Sequence, residues 1–453
     1  MTNEETPLLH TDVYDRFSPQ KKRLLSTIVI WGGLVAFFTS STFVPSIPQI
    51  SRDLDTTGEV VGYAVSVYTF AASVGGLVGS RYAKFYGRRP VYLCGFPLMV
   101  IASLAVARAS TVSQLLVWRG IQGIGAAPNY PLGAGVIGDI YRLEERGTAL
   151  GTYFGFTFLG IALGPSLGGI IAHYWSWRAI HYLLACFGCA AFVFLFILFP
   201  ETSHPGTRGM DEYARSGKAL PKWRPCLLNP FSQLLLLRSP NILAVAISGA
   251  VTVITDLALL VPFAYTIGKR YGIDNEALIG LCFLPLGIGN ALGAPLSGRL
   301  SDKVVIKYKE MRGYWYPEDR LRAAFFGAFL PFPILASALI TKYVSGPIGL
   351  TLNLVCLFIS GIGCDLVMTP GGAYVVDVMQ ANSAGATAAV NSFRWMLTSF
   401  QTAMLLPMIN TYGHLVTNSV ISLLVVFGFM LTALTIAYGK SMRAFVDVGY
   451  PAT

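Results

Sequence analysis

Apolar runs of about twenty residues recur along this chain, which is the length a helix needs to cross a bilayer. They begin near Leu24, Val60, Val91, Thr111, Thr148 and Arg178, and then near Asn241, Ala277, Leu321, Gly346, Ala386 and Asn418. At about 1.5 Å of rise per residue, each can cross a hydrocarbon core of about 30 Å. The pattern predicts an all-α integral membrane protein of twelve transmembrane helices. The longest polar segment, from Glu201 to about Pro240, leaves six runs before it and six after. We therefore expect a tail over 1–23, a six-helix bundle over 24–200 and a linker over 201–240. A second six-helix bundle over 241–439, pseudo-symmetric with the first, and a tail over 440–453 complete the layout.

Composition supports this reading and excludes others. Only 12% of the 453 residues are charged and 54% are hydrophobic, whereas a soluble domain carries about 25% charged residues. The formal net charge of +10 could suggest nucleic acid, but the basic residues fall between apolar runs and form no continuous face. They sort by side. Lys21, Lys22, Arg23, Arg81, Lys84, Arg88, Arg89, Arg142, Arg146, Arg208, Arg215, Lys218, Lys222, Arg224, Arg238 and a cluster from Arg299 to Arg322 fall on one side, with a few such as Arg52, Arg108, Lys269 and Lys342 opposite. Positive residues concentrate on the cytoplasmic side, so both termini are expected there. The first apolar run is too long for a signal-peptide core.

Chemistry of other kinds has little to stand on. Most of the seven cysteines lie inside apolar runs, where thiols behave as small hydrophobes. Cys186 and Cys189 form a CxxC without a second ligand pair, and the five histidines form no metal-ligand cluster. No nucleophile–base constellation, cofactor loop or GxxxxGK[ST] motif is present. Neither enzymatic activity nor a cofactor is expected, and any work done across the membrane must draw on a gradient or on the solute itself.

The halves carry matching turns. Gly87-Arg88-Arg89 separates runs two and three, and Gly298-Arg299-Leu300-Ser301-Asp302-Lys303 lies between runs eight and nine. Repeated halves are how many secondary transporters are built. Further motifs give the chain a family likeness. Leu115-Leu116-Val117-Trp118-Arg119-Gly120-Ile121-Gln122-Gly123-Ile124-Gly125 resembles the fourth-span motif of the major facilitator superfamily. Gly160-Ile161-Ala162-Leu163-Gly164-Pro165-Ser166-Leu167-Gly168-Gly169 resembles the fifth-span motif of its drug:proton antiporters. Val44-Pro45-Ser46-Ile47-Pro48, Pro200-Glu201-Thr202, Pro317-Glu318-Asp319-Arg320-Leu321, Tyr374-Val375-Val376-Asp377 and the stretch from Ala386 through Asn391 to Arg394 are similar to the fungal twelve-span members. The resemblance implies a proton-coupled antiporter exporting a small organic molecule, such as a drug or secondary metabolite, from a fungal cell. The partners it implies are that solute, protons and lipid, with the chain a monomer in the plasma membrane.

Several residues carry the chemistry. Arg119 lies within a span, where a charge must face protein or water. It stays protonated, so it can set a neighbour's protonation or hold an anion but cannot carry the proton. The family likeness implies a role in proton coupling; a structural arginine bound to backbone carbonyls is the plainer alternative. Asp256, Asp365 and Arg394 also fall inside spans. Low dielectric disfavours a charged carboxylate, which suits Asp256 or Asp365 to take up and release protons. An Asp365–Arg394 ion pair is the structural alternative. Gly160, Gly164 and Gly168 recur every four residues as one bare stripe, and Pro165 kinks the same helix, as a rocking interface between halves requires. Tyr63, Tyr68, Asn129, Tyr130, Phe154 and Phe158 are candidate cavity residues, with Asn129 and Tyr130 carried as substrate-binding candidates.

One motif departs from the family. Ser80 and Lys84 stand where the second-to-third-span motif has glycine and aspartate, whereas the second half keeps Asp302. Asp139, at the end of the fourth span, could pair with Arg88 or Arg89 instead, and we read the change as retuned gating. A short amphipathic piece is expected near Pro230 to Leu237. An organic-acid exporter, with Arg119 and Arg394 holding a carboxylate, is the alternative function.

Overall fold

A computed structural model describes residues 11–215, 228–263, 267–273, 275–379 and 383–445. The side chains of Arg146, Phe158 and Lys269, and the linker residues Lys218, Lys222 and Arg224, lie outside the described set. Among the described residues the regular structure is helical, and ten helical stretches are long and apolar enough to cross a membrane. One of them, Gly385–Ala444, holds two spans that meet at Gly413, whose φ of 82° is left-handed and breaks the helix. A further span is interrupted. Val112–Ala126 ends before Pro128 and the helix resumes as Asn129–Ile140, so neither piece alone reaches spanning length. Counting these, the chain makes twelve crossings.

We number the spans in chain order. Span 1 is Pro19–Ser41, continued through a tight turn into Ile47–Asp53; span 2 is Gly58–Tyr86; span 3 is Arg88–Ala107; span 4 is the interrupted pair above. Span 5 is Leu143–Tyr174, span 6 is Trp177–Leu198 and span 7 is Pro240–Pro262. Span 8 begins as Glu276–Leu281 and resumes as Leu284–Arg312. Span 9 opens on a 3-10 stretch, Pro317–Gly327, before Pro331–Tyr343, and span 10 is Gly346–Val378. Spans 11 and 12 are 383–412 and 414–445.

Local signals set the helix starts. Ser18, Thr57, Thr111 and Ser176 each accept a backbone N–H of the following first turn, at the heads of spans 1, 2, 4 and 6. Prolines at the first positions of spans 1, 7 and 10 cost nothing, because those backbone donors are unpaired anyway. An even number of crossings puts both chain ends and the 201–240 linker on one side, here called the terminal side; the other is the distal side. Arg142 pairs with Asp15 at 2.6 Å and Arg16 donates to the Glu201 carbonyl at 2.7 Å, tying the amino-terminal tail to that side.

The expected amphipathic linker piece is a 3-10 stretch, Pro230–Arg238, with no buried residue and with Phe231 and Leu235 exposed. It touches span 2 of the first half, and span 7 and the helix of spans 11 and 12 in the second. Earlier in the linker, Arg208 brackets Asp211 at 3.0 and 3.1 Å and holds its carboxyl below the usual range.

The halves meet on the distal side. There Phe43, Ile47, Val61 and Trp177 of the first half share one buried apolar cluster with Phe263, Phe283, Leu405 and Leu406 of the second. Toward the terminal side the cores separate. Tyr92, Phe96 and Tyr153 belong to a cluster of the first half, and Ile242, Tyr374 and Val375 to one of the second.

Candidate functional site

Three spans of the second half bring ionisable groups together. Span 7 contributes Asp256, span 10 contributes Ser360, Cys364 and Asp365, and span 11 contributes Arg394. Ser360 and Cys364 are one helical turn apart and so share a face. The Ser360 hydroxyl donates to Asp256 Oδ1 at 2.9 Å, and Cys364 lies on the same face of span 10. Asp256 is thus committed to a partner. Asp365 is not: its Oδ2 is buried and has no hydrogen-bond partner. The two carboxylates are near enough for their charges to interact.

The Asp365–Arg394 ion pair, the structural alternative, is not formed among the described contacts. Arg394 turns along its own helix to Asn391 Oδ1, three residues earlier, and rests on Met368 Sδ at 3.3 Å. Gly249 on span 7 leaves room for it, since a Cβ there would lie 3.1 Å from the arginine side chain. A cavity of about 30 Å³ beside it is lined by Ser248, Gly249, Met368, Asn391, Arg394 and Thr432. From the other half, Tyr130 reaches the same region, within the field of both Arg394 and Asp365. Its ring meets Phe37 at 4.9 Å, Phe154 at 5.9 Å and Tyr153 at 6.2 Å. An aromatic wall of the first half therefore stands beside charged groups of the second, an arrangement suited to an organic solute with a polar end.

Arg119 and Asn129 are placed elsewhere. Arg119 is fully buried, with its guanidinium 4.3 Å from the ring centres of both Phe43 and Tyr68. It donates to the Thr39 carbonyl at 3.1 Å and to Gln122 Oε1 at 2.7 Å, and Gln122 in turn donates to Ser103 at 2.7 Å. No carboxylate pairs with it among the described residues, and two of its donors, at Nε and Nη2, are unpartnered. Tyr68, a candidate cavity residue, is spent on this stack. Asn129 is fully buried and donates to the Gly125 carbonyl at 3.4 Å across the span 4 break, facing packed protein near Gly95. It serves the break and does not join the charged cluster.

On the terminal side each half carries an arginine hub at the head of its third helix. Arg88, heading span 3, pairs with Asp139 at 3.1 Å; Arg320, heading span 9, pairs with Asp377 at 2.5 Å and Asp302 at 3.2 Å. Asp139 and Asp377 end spans 4 and 10, so the two pairs occupy corresponding places. Lys84 stands where Asp302 stands in the second half, and Arg88 therefore holds one carboxylate where Arg320 holds two. Glu201 fills the first-half arrangement in another way. It accepts from the backbone N–H of Arg88 at 2.9 Å and of Arg89 at 3.1 Å, beside Gly87, whose φ of 105° and close approach to that carboxylate bar a side chain. Arg89 itself donates to the Phe196 carbonyl at 3.0 Å. The Pro200-Glu201-Thr202 motif was the sequence signal for this cap. Replacing Glu201 with Ala should cost about 1–2 kcal/mol, the worth of a good cap, read as a lower thermal unfolding midpoint in detergent.

The glycine stripe of span 5 faces span 1, within the first half. A Cβ at Gly160 would lie 2.9 Å from the Leu34 carbonyl oxygen, and Gly164 and Gly168 press on Ser41 and Thr42. The junction between halves uses the neighbouring face. Ala162 meets Gly287, and Pro165 presents its carbonyl 2.6 Å from where a Gly280 Cβ would sit. The stripe therefore tightens one half, while the adjacent face, which carries Pro165, meets the other, because successive residues turn by about 100° around a helix.

Two six-helix halves that share a buried core on the distal side, with ionisable side chains held inside spans 7, 10 and 11, are the build of a secondary transporter. The sequence description of the Major Facilitator Superfamily matches residues 29–401, and the chain belongs to that family, which transports small molecules and has no enzymatic activity. The chain is 26% identical over 425 residues to Efflux pump radE of Floropilus chiversii, covering 89% of this chain and 78% of that one. It is 24% identical over 437 residues to Citrate exporter 1 of Aspergillus niger, covering 87% and 81%. The fold superposes on the crystal structure of a D-xylose-proton symporter with a TM-score of 0.65 at 15% identity, covering 90% of this chain and 97% of that one.

Proposed function

We propose that this protein is a proton-coupled antiporter that exports a small organic molecule by alternating access, with the terminal side facing the cytoplasm of a fungal cell and the protein in its plasma membrane. The observation that carries the reading is the gathering of Asp256, Asp365 and Arg394 inside the spans of the second half, with a buried carboxylate oxygen of Asp365 left unpartnered. A solute entering from the terminal side would lie against Tyr130, Phe37 and Phe154, and a proton on Asp365 would change the charge it meets. Arg119 would act at a distance, by fixing span 4 against spans 1 and 3. Opening and closing on the terminal side would make and break contacts around the Arg88–Asp139 and Arg320–Asp302 networks.

A second reading has its own observation. Arg394 has no carboxylate partner among the described residues, so it could receive one from an organic acid; the exporter of citrate among the relatives gives that reading a precedent. Efflux from yeast expressing the chain separates the two, using cationic drugs, neutral fungal metabolites and small dicarboxylic acids with and without a protonophore. Export of a drug or metabolite that collapses with the protonophore supports antiport. Export of dicarboxylates that survives it, and that Arg394→Lys reduces severalfold, supports the organic-acid reading.

A further inference from the structure

We propose that Arg52, Glu276 and His173 form the lock that holds the distal gate shut, carried on a short hinged segment at the head of span 8. The segment Glu276–Leu281 is a separate helical piece, set off from Leu284–Arg312 by Cys282 and Phe283. Pro285, just beyond the break, has no N–H to continue the ladder, so the interruption is built into the sequence.

The segment lies on span 5 with almost no side chain between the two backbones. Gly169 faces the Glu276 carbonyl, Gly280 faces the Pro165 carbonyl, and Ser166 Oγ donates to the Gly280 carbonyl at 3.0 Å. Glu276 then reaches back to the first half with both carboxylate oxygens. Arg52, at the end of span 1, binds Oε1 at 2.6 Å, and His173, at the end of span 5, meets Oε2 at 3.3 Å. Asn275 sets the histidine. Its Oδ1 is used by the backbone N–H of Ala277 and of Leu278, so its amide nitrogen faces His173 Nε2 at 3.3 Å. His173 Nε2 is therefore the acceptor, and Nδ1 carries the hydrogen that goes to Glu276.

The partners are unequal. The Glu276 side chain is 8% exposed, whereas that of Arg52 is 67% exposed. Separating the halves breaks both contacts of Glu276 at once, whereas Arg52 is already largely in water and loses one. Glu276 is thus the element that resists distal opening. The lock needs no assumption about the solute or the proton, so its test stands apart from that of the proposed function.

Cys364, buried on span 10 near Asp256, is the reporter. In a chain with Cys94, Cys186, Cys189, Cys226, Cys282 and Cys356 replaced by serine, reconstituted in vesicles, a membrane-impermeant thiol reagent is applied from the distal side. Glu276→Gln should speed Cys364 modification on the order of tenfold, the population shift that loss of a charge-assisted hydrogen bond produces. Arg52→Ala should do nearly the same, His173→Ala less, and the exchanged pair Arg52→Glu/Glu276→Arg should return the rate toward that of the parent. Equal rates in the parent, Glu276→Gln and Arg52→Ala would overturn the proposal. So would failure of the exchanged pair to slow labelling while the protein stays monodisperse.

Discussion

Replacing Asp365 with Asn should abolish transport against a gradient while leaving exchange of solute across the membrane. A proton moving down one pH unit supplies about 1.4 kcal/mol, or about tenfold in accumulation per proton. A transporter that has lost its proton carrier loses that factor and keeps its binding site. Asp365 is the better carrier of the two acids because nothing holds it. Its Oδ2 is buried without a partner, whereas Asp256 already accepts from Ser360 at 2.9 Å. Asp256→Asn should accordingly reduce uphill transport less than Asp365→Asn does. Proteoliposomes with an imposed pH difference distinguish the outcomes. Unchanged accumulation by Asp365→Asn would return that residue to a structural role.

The second large effect concerns stability. Glu318 and Arg443 form an ion pair at the terminal end of the second half, with side chains 8% and 1% exposed. Tyr374 donates to Glu318 at 3.3 Å, and Asn241 donates to the Tyr374 oxygen at 2.9 Å, so spans 7, 9, 10 and 12 are joined at one point. Removing one member of a buried pair leaves a charge without compensation, at a cost of about 3–5 kcal/mol. Glu318→Ala should therefore unfold in detergent at much lower temperature than the parent. The double replacement Glu318→Leu/Arg443→Met should recover most of the loss, because it leaves no orphaned charge. Equal losses in the single and double variants would assign the cost to packing instead.

The spans were legible because the bilayer imposes one rule on every crossing helix, and apolar length reports it directly. Where the backbone escapes that rule the sequence was less readable. The break at Pro128 and the one before Leu284 interrupt continuous apolar runs without any change in hydropathy. The candidate site was legible residue by residue, since a charge inside a span is rare, but its assembly was not. Asp365 and Arg394 are equally compatible with an ion pair in the sequence; only the rotamer that sends Arg394 to Asn391 separates them. Tyr130 could be listed as a cavity residue, yet its approach to the second half depends on how two bundles lean together. Glu276 and His173 each lie at a span end, where polar residues are ordinary, so nothing in the sequence sets them apart. The glycine spacing of span 5 gives the face of the helix that is bare but not what covers it, which in the structure is span 1.

The second piece of span 8 has 29 residues, about 43 Å at the usual rise, against a hydrocarbon core of about 30 Å. Its last turns, through Lys307 and Arg312, must stand clear of the lipid. A rigid helical binder fused or docked there would give single-particle imaging a fixed landmark, which a protein otherwise enclosed by a detergent micelle lacks.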